Sequence, residues 1–402
     1  MSQAESVLAS VPEHVPADRI RDFDIYRPAE GQRDMMGSVA SVVADAPKIF
    51  FTARNGGHWV IAGYDLLAAA AKDTETFSSF PYTIPTYVDE QPLAPLLVDP
   101  PLHSAHRAVL NRMFTPKRAV ALSSEIRGSA ATLIEAVAGL GHCDFVKSIS
   151  ELLPVSVFLE LFGLPHERLH EYRHAIKTYL GSADVEDKRK MADWIINELS
   201  EAIRDHQRNP REDLISELID AEIDGCKASF EETLNFCMML FAAGLDTVTV
   251  SLSYGVRHLA EDAELQTWAR ANPNKVQELT EEMLRRYSAA QPGRTVTRDV
   301  VMDNVTLKKG DRVLLLVAGA NLDPDAFDSP LAVVPSRPKK PHLAFNVGPH
   351  RCVGMHLARV ELQIAYEEWL ARIPAFRLDP DCASSSSGGH VLSLNSLGLR
   401  WD

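Results

Sequence analysis

The cysteine in FNVGPHRCVG, Phe345 to Gly354, is the residue best placed to do chemistry in this 402-residue chain. An apolar pattern at helical spacing follows this loop, so Cys352 is predicted at the start of a helix. Backbone N–H groups and the helix dipole stabilise a thiolate there. His350 and Arg351 add positive charge nearby. A metal ligand and a redox-sensing thiol are both open interpretations, and a buried inert cysteine is the plain structural alternative.

A polar step interrupts an apolar helix upstream. Ser229 and Glu232 form the sequence signature of a capping box, which predicts a helix start at Ser229. About ten apolar residues follow, and then comes AGLDT, with Gly244, Asp246 and Thr247. Buried ionised Asp is costly without a partner, and a Thr hydroxyl competes for helix carbonyls. The step is either a kink with a satisfied polar pair or a proton-handling site that faces a cavity.

An acid–arginine pair is the third candidate. Glu282 and Arg285 are three residues apart and share one face of a predicted helix. Glu201 and Arg204 have the same spacing, and we interpret them as a solvated ion pair. A buried pair needs further hydrogen bonds to offset its desolvation. Arg337, which precedes the cysteine loop, could complete such a network.

Helices must position most of these residues. Nearly all of residues 100–268 have helical periodicity, and a last helix is predicted from about Cys352 to Ile373. HWVIAGY, His58 to Tyr64, reads as a strand followed by a helix. VTLKKGDRVLLL predicts a hairpin that turns at Lys309-Gly310-Asp311. We therefore predict a mainly α fold with small β-sheets in a single domain, residues 1–402. Phe80 to Pro95 is predicted to be a long ordered loop at a binding site.

Composition narrows the class of protein. Hydrophobic residues make up 46% of the chain, and the formal net charge is −14, which argues against nucleic-acid binding. No apolar run reaches about 18 residues, so no membrane span is expected. The five cysteines are widely spaced without a CxxC, which argues against a disulfide framework or a zinc site. No signal peptide is visible. We expect a cytoplasmic monomer with reduced thiols.

Together the three motifs resemble one family. F-x-x-G-x-H-x-C-x-G, with A-G-x-D-T and E-x-x-R upstream in that order, is similar to the cytochrome P450 family. The soluble bacterial type, and within it the camphor hydroxylase group, is the nearest resemblance, through LDTVTVSLS, EEMLRRYSAAQPGR and the terminal LRWD. The resemblance implies a single-domain cytochrome P450 fold. It also implies haem b (iron protoporphyrin IX) between the central long helix and the helix after the cysteine loop.

The resemblance assigns a role to each matching residue. Cys352 matches the thiolate that ligates the haem iron, which favours O–O cleavage. Asp246 and Thr247 match the acid–alcohol pair that delivers protons for oxygen activation. Four residues match partners of the haem propionates: His103, Arg107, Arg294 and His350. Three match a structural network that holds the cysteine loop: Glu282, Arg285 and Arg337.

The implied substrate pocket is mostly apolar. The tyrosine that hydrogen-bonds the ketone in camphor hydroxylase corresponds to Gln91, which argues against camphor itself. The positions implied to line the pocket are Tyr82, Tyr87, Gln91, Leu93, Leu96, Met239, Ala242, Ala290 and Val391. An apolar lining of this kind suits a small monoterpenoid or norisoprenoid ring such as an ionone. The resemblance thus implies a haem-thiolate monooxygenase that hydroxylates such a ring.

Electrons must come from another protein, because no G-x-G-x-x-G and no cysteine cluster for iron–sulfur occurs. The resemblance implies a [2Fe–2S] ferredoxin with its NAD(P)H-dependent reductase. An acidic ferredoxin requires a local basic patch on this acidic chain, for which the candidates are Arg112, Lys339, Lys340 and Arg351. Two alternatives remain open, a haem-binding sensor or carrier without turnover and a peroxide-driven oxygenase of the same fold.

Overall fold

Helices dominate the computed structural model, which describes residues 8–86, 91–181, 185–338, 340–382 and 384–402. Tyr87 and Lys339 lie outside the described residues. The α-helices run, in chain order, as α1 (Met35–Asp45), α2 (Tyr64–Lys72), α3 (Leu102–Met113), α4 (Pro116–Ala121), α5 (Ser123–Ala138), α6 (Leu153–Phe162), α7 (Leu169–Gly181), α8 (Val185–Arg208), α9 (Leu214–Ile219), α10 (Phe230–Glu261), α11 (Ala263–Ala271), α12 (Val276–Arg286), α13 (Val317–Ala320) and α14 (Met355–Arg372).

The strands are short. They run as β1 (Ile49–Thr52), β2 (His58–Ile61), β3 (Phe77–Ser78), β4 (His142–Asp144), β5 (Glu222–Ile223), β6 (Cys226–Lys227), β7 (Gly293–Val296), β8 (Val300–Met302), β9 (Val305–Leu307), β10 (Arg312–Leu315), β11 (Phe376–Leu378), β12 (Ser385–Ser387), β13 (Ser393–Ser396) and β14 (Gly398–Trp401). The prediction of a mainly α fold with small sheets is confirmed.

The central helix α10 begins where the capping box predicts. Ser229 Oγ accepts from the Glu232 N–H at 3.1 Å, and the Glu232 carboxylate accepts from the Ser229 N–H at 2.8 Å. Among the described helices, α10 is the one long and apolar enough to cross a membrane, and 72% of that stretch is buried inside the fold. Burial of an apolar helix by its neighbours is typical of a core element.

The largest sheet joins distant parts of the chain. Its strand order is β1-β2-β10-β7-β3. Strand β10 pairs in parallel with β2, matching Val313 with Trp59, and antiparallel with β7, matching Val313 with Arg294. This pairing places Arg294 in a buried strand beside the loop that follows β3.

The predicted hairpin at Lys309-Gly310-Asp311 is wrong. Strand β9 pairs with β8, and β10 pairs with β2 and β7 instead. The hairpin turn is Asp303-Asn304, with φ of 48° and 60°. Two consecutive positive φ values match the right-handed twist of a two-residue hairpin, and Asn and Asp tolerate them better than most residues.

The last helix starts later than predicted. Helix α14 begins at Met355, three residues after Cys352, with Gly354 at its N-cap. The intervening Val353 and Gly354 form a turn. Another turn precedes the thiol, where the Arg351 N–H donates to the Gly348 carbonyl at 3.1 Å. Tyr366 of α14 packs on Gly255, where an added Cβ would collide with the phenol, so α14 and α10 lie in close contact.

Candidate active site

The cysteine loop is held by its own backbone. The Cys352 N–H donates to the Phe345 carbonyl at 2.8 Å. Asn346 and Gly348 have φ of 56° and 77°. A Cβ at Gly348 would lie 2.7 Å from the Ala71 carbonyl oxygen of α2, so both conformation and space require glycine. Asn346 adopts its left-handed conformation at low cost because its short polar side chain bonds locally, here to the Val347 N–H at 2.8 Å.

The surroundings of the Cys352 thiol indicate that it faces a space inside the protein. Its side chain has open surface, yet protein surrounds it on most sides. Burial raises the pKa of the Cys352 thiol, while the Gly354 N–H and the charges of Arg107, Arg359 and Arg351 act to lower it. Both the accessible surface of the thiol and the protein around it are explained if that surface faces a space inside the fold and not the exterior. Three positive charges near the sulfur and one N–H that donates to it suit an anionic sulfur ligand.

The polar step of α10 borders the same region. Val353, next to the thiol, packs in one hydrophobic cluster with Ala243 and Leu245. A Cβ added at Gly244 would meet no atom within 4 Å, although Gly244 lies in the middle of a mostly buried helix. Thr247 donates to the Ala243 carbonyl at 3.3 Å, a long hydrogen bond that leaves the hydroxyl loosely held. The helix continues through the step without a break.

Asp246 is poised to exchange a proton. Burial and, to a smaller extent, the nearby Glu151 raise the pKa of Asp246 to about 6, against the opposing effects of a hydrogen bond from Ser393 and the charge of Lys177. Glu151 accepts from Lys177 Nζ at 2.6 Å and from Arg173 Nε at 2.7 Å. Lys177 is half exposed, so these residues extend from the buried carboxyl to the surface. Sequence reasoning missed Glu151 and Ser393, which no motif marks.

Two histidines meet beside the cysteine loop. The rings of His103 on α3 and His350 lie 4.4 Å apart. Both side chains are buried, and His103 Nδ1 and His350 Nε2 have no hydrogen-bond partner within the described part of the chain. Burial, together with the neighbouring His350 and Arg107, lowers the pKa of His103 to about 4.

Two arginines complete this cationic cluster. Arg294 is buried, its Nε has no hydrogen-bond partner among the described residues, and burial lowers its pKa to about 10. Burial likewise lowers the pKa of Arg107, whose Nε donates to Asn111 at 2.9 Å. Unmet buried donors are rare in native proteins. The cluster therefore suits an anionic group that accepts from these residues.

Asp99 is a member of this region that sequence reasoning missed. It accepts from Ser78 Oγ at 2.5 Å and from the N–H and Oγ of Ser79 at 2.9 and 2.8 Å. Burial would raise the pKa of Asp99, but the interaction with His350 and these hydrogen bonds hold it below its usual range. Ionised Asp99 therefore tethers the loop after β3 next to His350, 3.8 Å away. Asp99 lies in the sequence DPP after a segment without clear periodicity, and neither feature predicts a role in binding.

The acid–arginine pair forms a buried network with Arg337. Glu282 accepts from Arg285 Nε at 2.9 Å and from Arg337 Nε at 3.0 and 3.1 Å, and it also accepts from the Val334 N–H at 3.0 Å. The remaining Arg285 donors bond to carbonyls of Asn321, Pro330 and Ala332 at 3.0, 2.8 and 2.7 Å. This network joins α12 to the segment that leads into the cysteine loop.

Comparison with known proteins identifies the family. The family model described as Cytochrome P450 matches residues 145–382. Probable cytochrome P450 127A1 of Sinorhizobium fredii is 33% identical over 402 residues, 97% of each chain. The chain belongs to the cytochrome P450 family. It is therefore a haem-dependent monooxygenase, and the resemblance found from the motifs is confirmed.

Solved cytochromes P450 share its fold over nearly the whole chain. CYP101J2 superposes with a TM-score of 0.89 at 32% identity, covering 98% of this chain and 100% of that one. CYP101C1 gives 0.88 at 32% identity with the same coverage. A more distant curated relative, the methyl-branched lipid omega-hydroxylase of Mycobacterium tuberculosis, is 28% identical over 400 residues, 92% of each chain.

The side chains present fit haem b. The unmatched donors of His103, Arg294 and His350 suit propionate oxygens, since buried carboxylates need such partners. The Cys352 sulfur suits the iron. The open side of α10 at Gly244 gives a flat group room to approach the helix backbone.

The residues implied to line the substrate pocket fall into two groups. Leu93 and Leu96 pack in one cluster with buried Met239, and Ala242 lies one turn further along α10, partly buried. On the other side, Ala290 and Val391 form an isolated β-bridge with each other. The ring of Tyr82 lies 4.9 Å from that of His390, and Gln91 is exposed at the far end of the same loop.

The basic residues proposed for docking have different surroundings. Arg112 on α3 and Arg351 in the cysteine loop are exposed. Lys340 is exposed as a residue, but its ammonium lies over the rings of Tyr64 and Phe327 at 4.5 and 5.7 Å. A cavity of about 220 Å³ lies between α4, α12 and α14, with Val120 at its rim 62% exposed.

Proposed function

We propose that this cytochrome P450, as one domain over residues 1–402, hydroxylates a small apolar ring compound, a monoterpenoid or a norisoprenoid such as an ionone. The observation that carries this proposal is that the residues implied to line the pocket are mostly apolar and lie beside one polar step. Leu93, Leu96 and Met239 pack together, and Ala290 pairs with Val391, while the polar step at Asp246 and Thr247 interrupts an otherwise apolar helix. A substrate with few polar groups suits such a lining.

Asp246, Thr247 and the apolar residues of the pocket have different roles in the proposed reaction. When bound, haem supplies the redox chemistry that activates dioxygen, and a thiolate ligand favours O–O cleavage. Asp246 holds or releases a proton at its carboxyl oxygen near neutral pH, because its raised pKa of about 6 is close to the working range. The Thr247 hydroxyl orients the proton toward the cavity, and the apolar walls exclude water from the substrate side.

The two alternatives are less well supported. A sensor or carrier has no need of a buried acid with a pKa of about 6 beside a loosely held hydroxyl. A peroxide-driven enzyme of this fold takes its acid from the substrate or from another residue, so the intact acid–alcohol pair of Asp246 and Thr247 favours the dioxygen-dependent class. Rates supported by peroxide and by a ferredoxin, measured on one preparation, separate these classes.

Electrons are proposed to come from an acidic [2Fe–2S] ferredoxin and its NAD(P)H-dependent reductase, in the cytoplasm, with the monooxygenase as a monomer. Arg112 and Arg351 supply exposed positive charge near the cysteine loop, and exposed Val120 adds an apolar contact. Lys340 and Lys339 are weaker candidates, the first because Tyr64 and Phe327 hold its ammonium. Local complementarity of charge mainly raises the association rate.

The substrate class is tested by a spin-state titration of the ferric holoenzyme with monoterpenes, ionones, aromatic acids and long-chain fatty acids. We expect the ring compounds to give the largest high-spin fraction and the tightest binding. A stronger response to fatty acids would overturn the proposed class.

Partner docking is tested with Arg112→Ala and with Lys190→Ala, an exposed lysine of α8, as the matched control. Reduction by a [2Fe–2S] ferredoxin should slow roughly tenfold at low salt for Arg112→Ala only. Equal rates for both variants would exclude Arg112 from the interface.

A further inference from the structure

Asn321 joins two distant segments of the chain inside the core. It directly follows α13, and its side chain is fully buried. Its Nδ2 donates to Ser288 Oγ at 2.7 Å, and its Oδ1 accepts from the Leu343 N–H at 2.8 Å. Ser288 lies in the segment between α12 and β7, and Leu343 lies in the segment that leads into the cysteine loop. The amide of Asn321 therefore bridges these two segments.

The partners of Asn321 fix the orientation of its amide. A backbone N–H can only donate, so the atom that faces Leu343 is the oxygen, and the nitrogen faces Ser288. Ser288 Oγ accepts from that nitrogen, so its own hydrogen is directed at the Leu284 carbonyl, 2.9 Å away. An ionised Asp could accept from Leu343 but could not donate to Ser288. The site thus requires a side chain that donates on one side and accepts on the other.

Leu343 connects Asn321 to the cysteine loop. It is buried, and while its N–H donates to Asn321, its carbonyl accepts from the Asn346 N–H at 2.7 Å. Asn346 is the loop residue with the left-handed backbone, at φ of 56°. The Phe345 carbonyl, one residue earlier, accepts from the Cys352 N–H at 2.8 Å. Asn321 therefore holds the base of the loop that carries the sulfur.

The segment of Ser288 also carries a residue of the implied pocket. Ala290 forms one side of the isolated β-bridge described above. Gln291, next to it, is fully buried. Its Nε2 donates to the Ser288 carbonyl at 2.8 Å, and its Oε1 accepts from the Ala318 N–H of α13 at 3.0 Å. Residues 288–291 are therefore fastened to α13 and to the residue after it on both sides of Ala290.

These hydrogen bonds all lie in the interior. Ser288, Gln291, Asn321 and Leu343 are all buried, so a lost partner is not readily replaced by water. Buried polar networks of this kind hold their members in one arrangement. A displacement of residues 288–291 must move α13 or break a buried bond, and a displacement of Asn321 moves Leu343. The pocket segment and the base of the cysteine loop therefore behave as one unit.

A second buried amide of this fold provides a matched control. Gln266 donates to the Leu259 and Phe376 carbonyls at 2.8 and 2.9 Å and accepts from the Phe376 N–H at 3.1 Å. It joins α11 to β11, and neither element carries a residue assigned to haem or to substrate. Gln266 thus resembles Asn321 in burial and in bonding, but it contacts neither the pocket segment nor the cysteine loop.

We propose that Asn321 is a positioning residue, whose amide holds the cysteine loop in register with the pocket segment, residues 288–291. A substrate that displaces Ala290 then also displaces the loop of Cys352, and occupancy of the pocket thereby reaches the iron ligand. The holding of the loop rests on the contacts above, whereas the link to substrate rests on the proposed function.

The first test is hydrogen exchange of the peptide that contains Leu343, measured by mass spectrometry on the haem-loaded enzyme without substrate. Asn321→Leu should exchange there roughly tenfold faster than the wild type, because the N–H has lost its acceptor. Ser288→Ala keeps the acceptor but frees the amide to rotate, so exchange should be roughly threefold faster. Gln266→Leu should exchange like the wild type at this peptide, although it lowers Tm.

Wild-type exchange at the Leu343 peptide in Asn321→Leu would overturn the inference. If that variant binds too little haem for the measurement, Ser288→Ala decides alone, and wild-type exchange in it would have the same consequence.

The reduced carbonyl complex gives a second measurement, because its strongly red-shifted Soret band reports on the thiolate ligand. The share of haem with this band should fall about twofold or more in Asn321→Leu, since the loop no longer holds the sulfur in one place. Gln266→Leu should keep the full share despite a similar loss in Tm. Equal shares in these two variants would reduce Asn321 to a general contribution to stability and overturn its positioning role.

The link to substrate is measured by the high-spin fraction at saturation with the ring compound that gives the largest response in the wild type. This fraction should fall about twofold in Ser288→Ala and in Asn321→Leu, with no further fall in the double variant, because both changes break one connection. Additive effects, or wild-type fractions in both single variants, would overturn the link. If no ring compound shifts the spin state of the wild type, the proposed substrate class fails, while hydrogen exchange and the Soret band still decide the role of Asn321.

Discussion

The imidazole rings of His103 and His350 lie 4.4 Å apart at a tilt of 58°, and His103 is on a helix 247 residues upstream of His350. Each is buried and presents a nitrogen without a hydrogen-bond partner in the described structure. Such a pair is destabilising by itself, because a buried polar atom without a hydrogen bond has lost its hydration and gained no interaction in exchange. A carboxylate of haem that accepts from these donors would remove that cost.

We expect His103→Phe to weaken haem retention. The variant keeps the ring volume but removes a hydrogen bond to a charged group, so haem loss should accelerate about tenfold or more. Transfer of haem to excess apomyoglobin measures this rate. His106→Phe is the control, because His106 is buried on the same helix but packs on Phe236. Equal rates of loss for the two variants would contradict a propionate role for His103.

The Asp246 carboxyl makes stability depend on pH. Its pKa is raised to about 6 in the folded protein from 3.8, so between these values the folded state binds more protons than the unfolded state. Stability therefore falls as the pH rises from about 4 to about 6, and the full penalty is present above that range. Asp246→Asn removes this penalty.

We expect Asp246→Asn to raise Tm by roughly 2–4 °C at pH 8 and to leave it unchanged at pH 4. Circular dichroism melts of the holoenzyme at both pH values measure the difference from the wild type. Asp187→Asn, at an exposed position on α8, should show no such pattern. A variant effect of the same size at both pH values would count against a raised pKa at Asp246.

We expect Thr247→Ala to uncouple electron use from product formation. Without the loosely held hydroxyl, protons arrive less selectively, and product per NAD(P)H should fall roughly tenfold with peroxide released instead. Product and peroxide are quantified against NAD(P)H consumed. Thr249→Ala removes a hydroxyl from the same helix that bonds to the Ser150 and Leu245 carbonyls, and its coupling should match the wild type. Unaltered coupling in Thr247→Ala would remove this residue from the proton path.

Two identical sequence patterns allow a matched test of the acid–arginine network. Glu282→Gln leaves Arg285 and Arg337 in the interior without their counter-ion, which should lower the free energy of unfolding by about 3–5 kcal/mol. Glu201→Gln alters the same E-x-x-R spacing at an exposed pair, where Arg204 lies over Phe230, and should change stability little.

The measurement for this network is the fraction of purified protein loaded with haem, from the ratio of haem to protein absorbance. Glu282→Gln should lower it strongly, and Glu201→Gln should not. Arg337→Lys keeps a charge but loses the Nε–H that donates to Glu282 and the donors to backbone carbonyls, so it should give an intermediate value. Equal loading in all three variants would contradict a structural role for Glu282.

Local signals in the sequence predicted local structure well. The capping box at Ser229 depends on a residue three positions away, and the helix begins there as expected. The order of motifs was specific enough to identify the family, and with it the fold. The hairpin was mistaken because Gly310 is a strong turn signal, whereas the pairing was decided by Asp303-Asn304 and by β2, a partner far away in the chain.

The missed residues act through contacts between distant segments. Asp99 gains its role from Ser78, Ser79 and His350, and nothing near it in the sequence indicates that environment. Asn321 follows an apolar run that predicts only a buried element, and its partners are Ser288 and Leu343. A periodic pattern cannot indicate a site assembled by tertiary contacts.

Strand β2 is synthesised long before β10, the strand with which it pairs in parallel. Trp59 and Val313 are about 250 residues apart, so β2 leaves the ribosome long before its partner exists. Until then its hydrogen-bonding edge toward β10 is open to other chains, a known route to aggregation. Contacts of this separation also slow folding. We therefore expect a chain that stops before residue 312 to aggregate, and the intact chain to be the more soluble of the two.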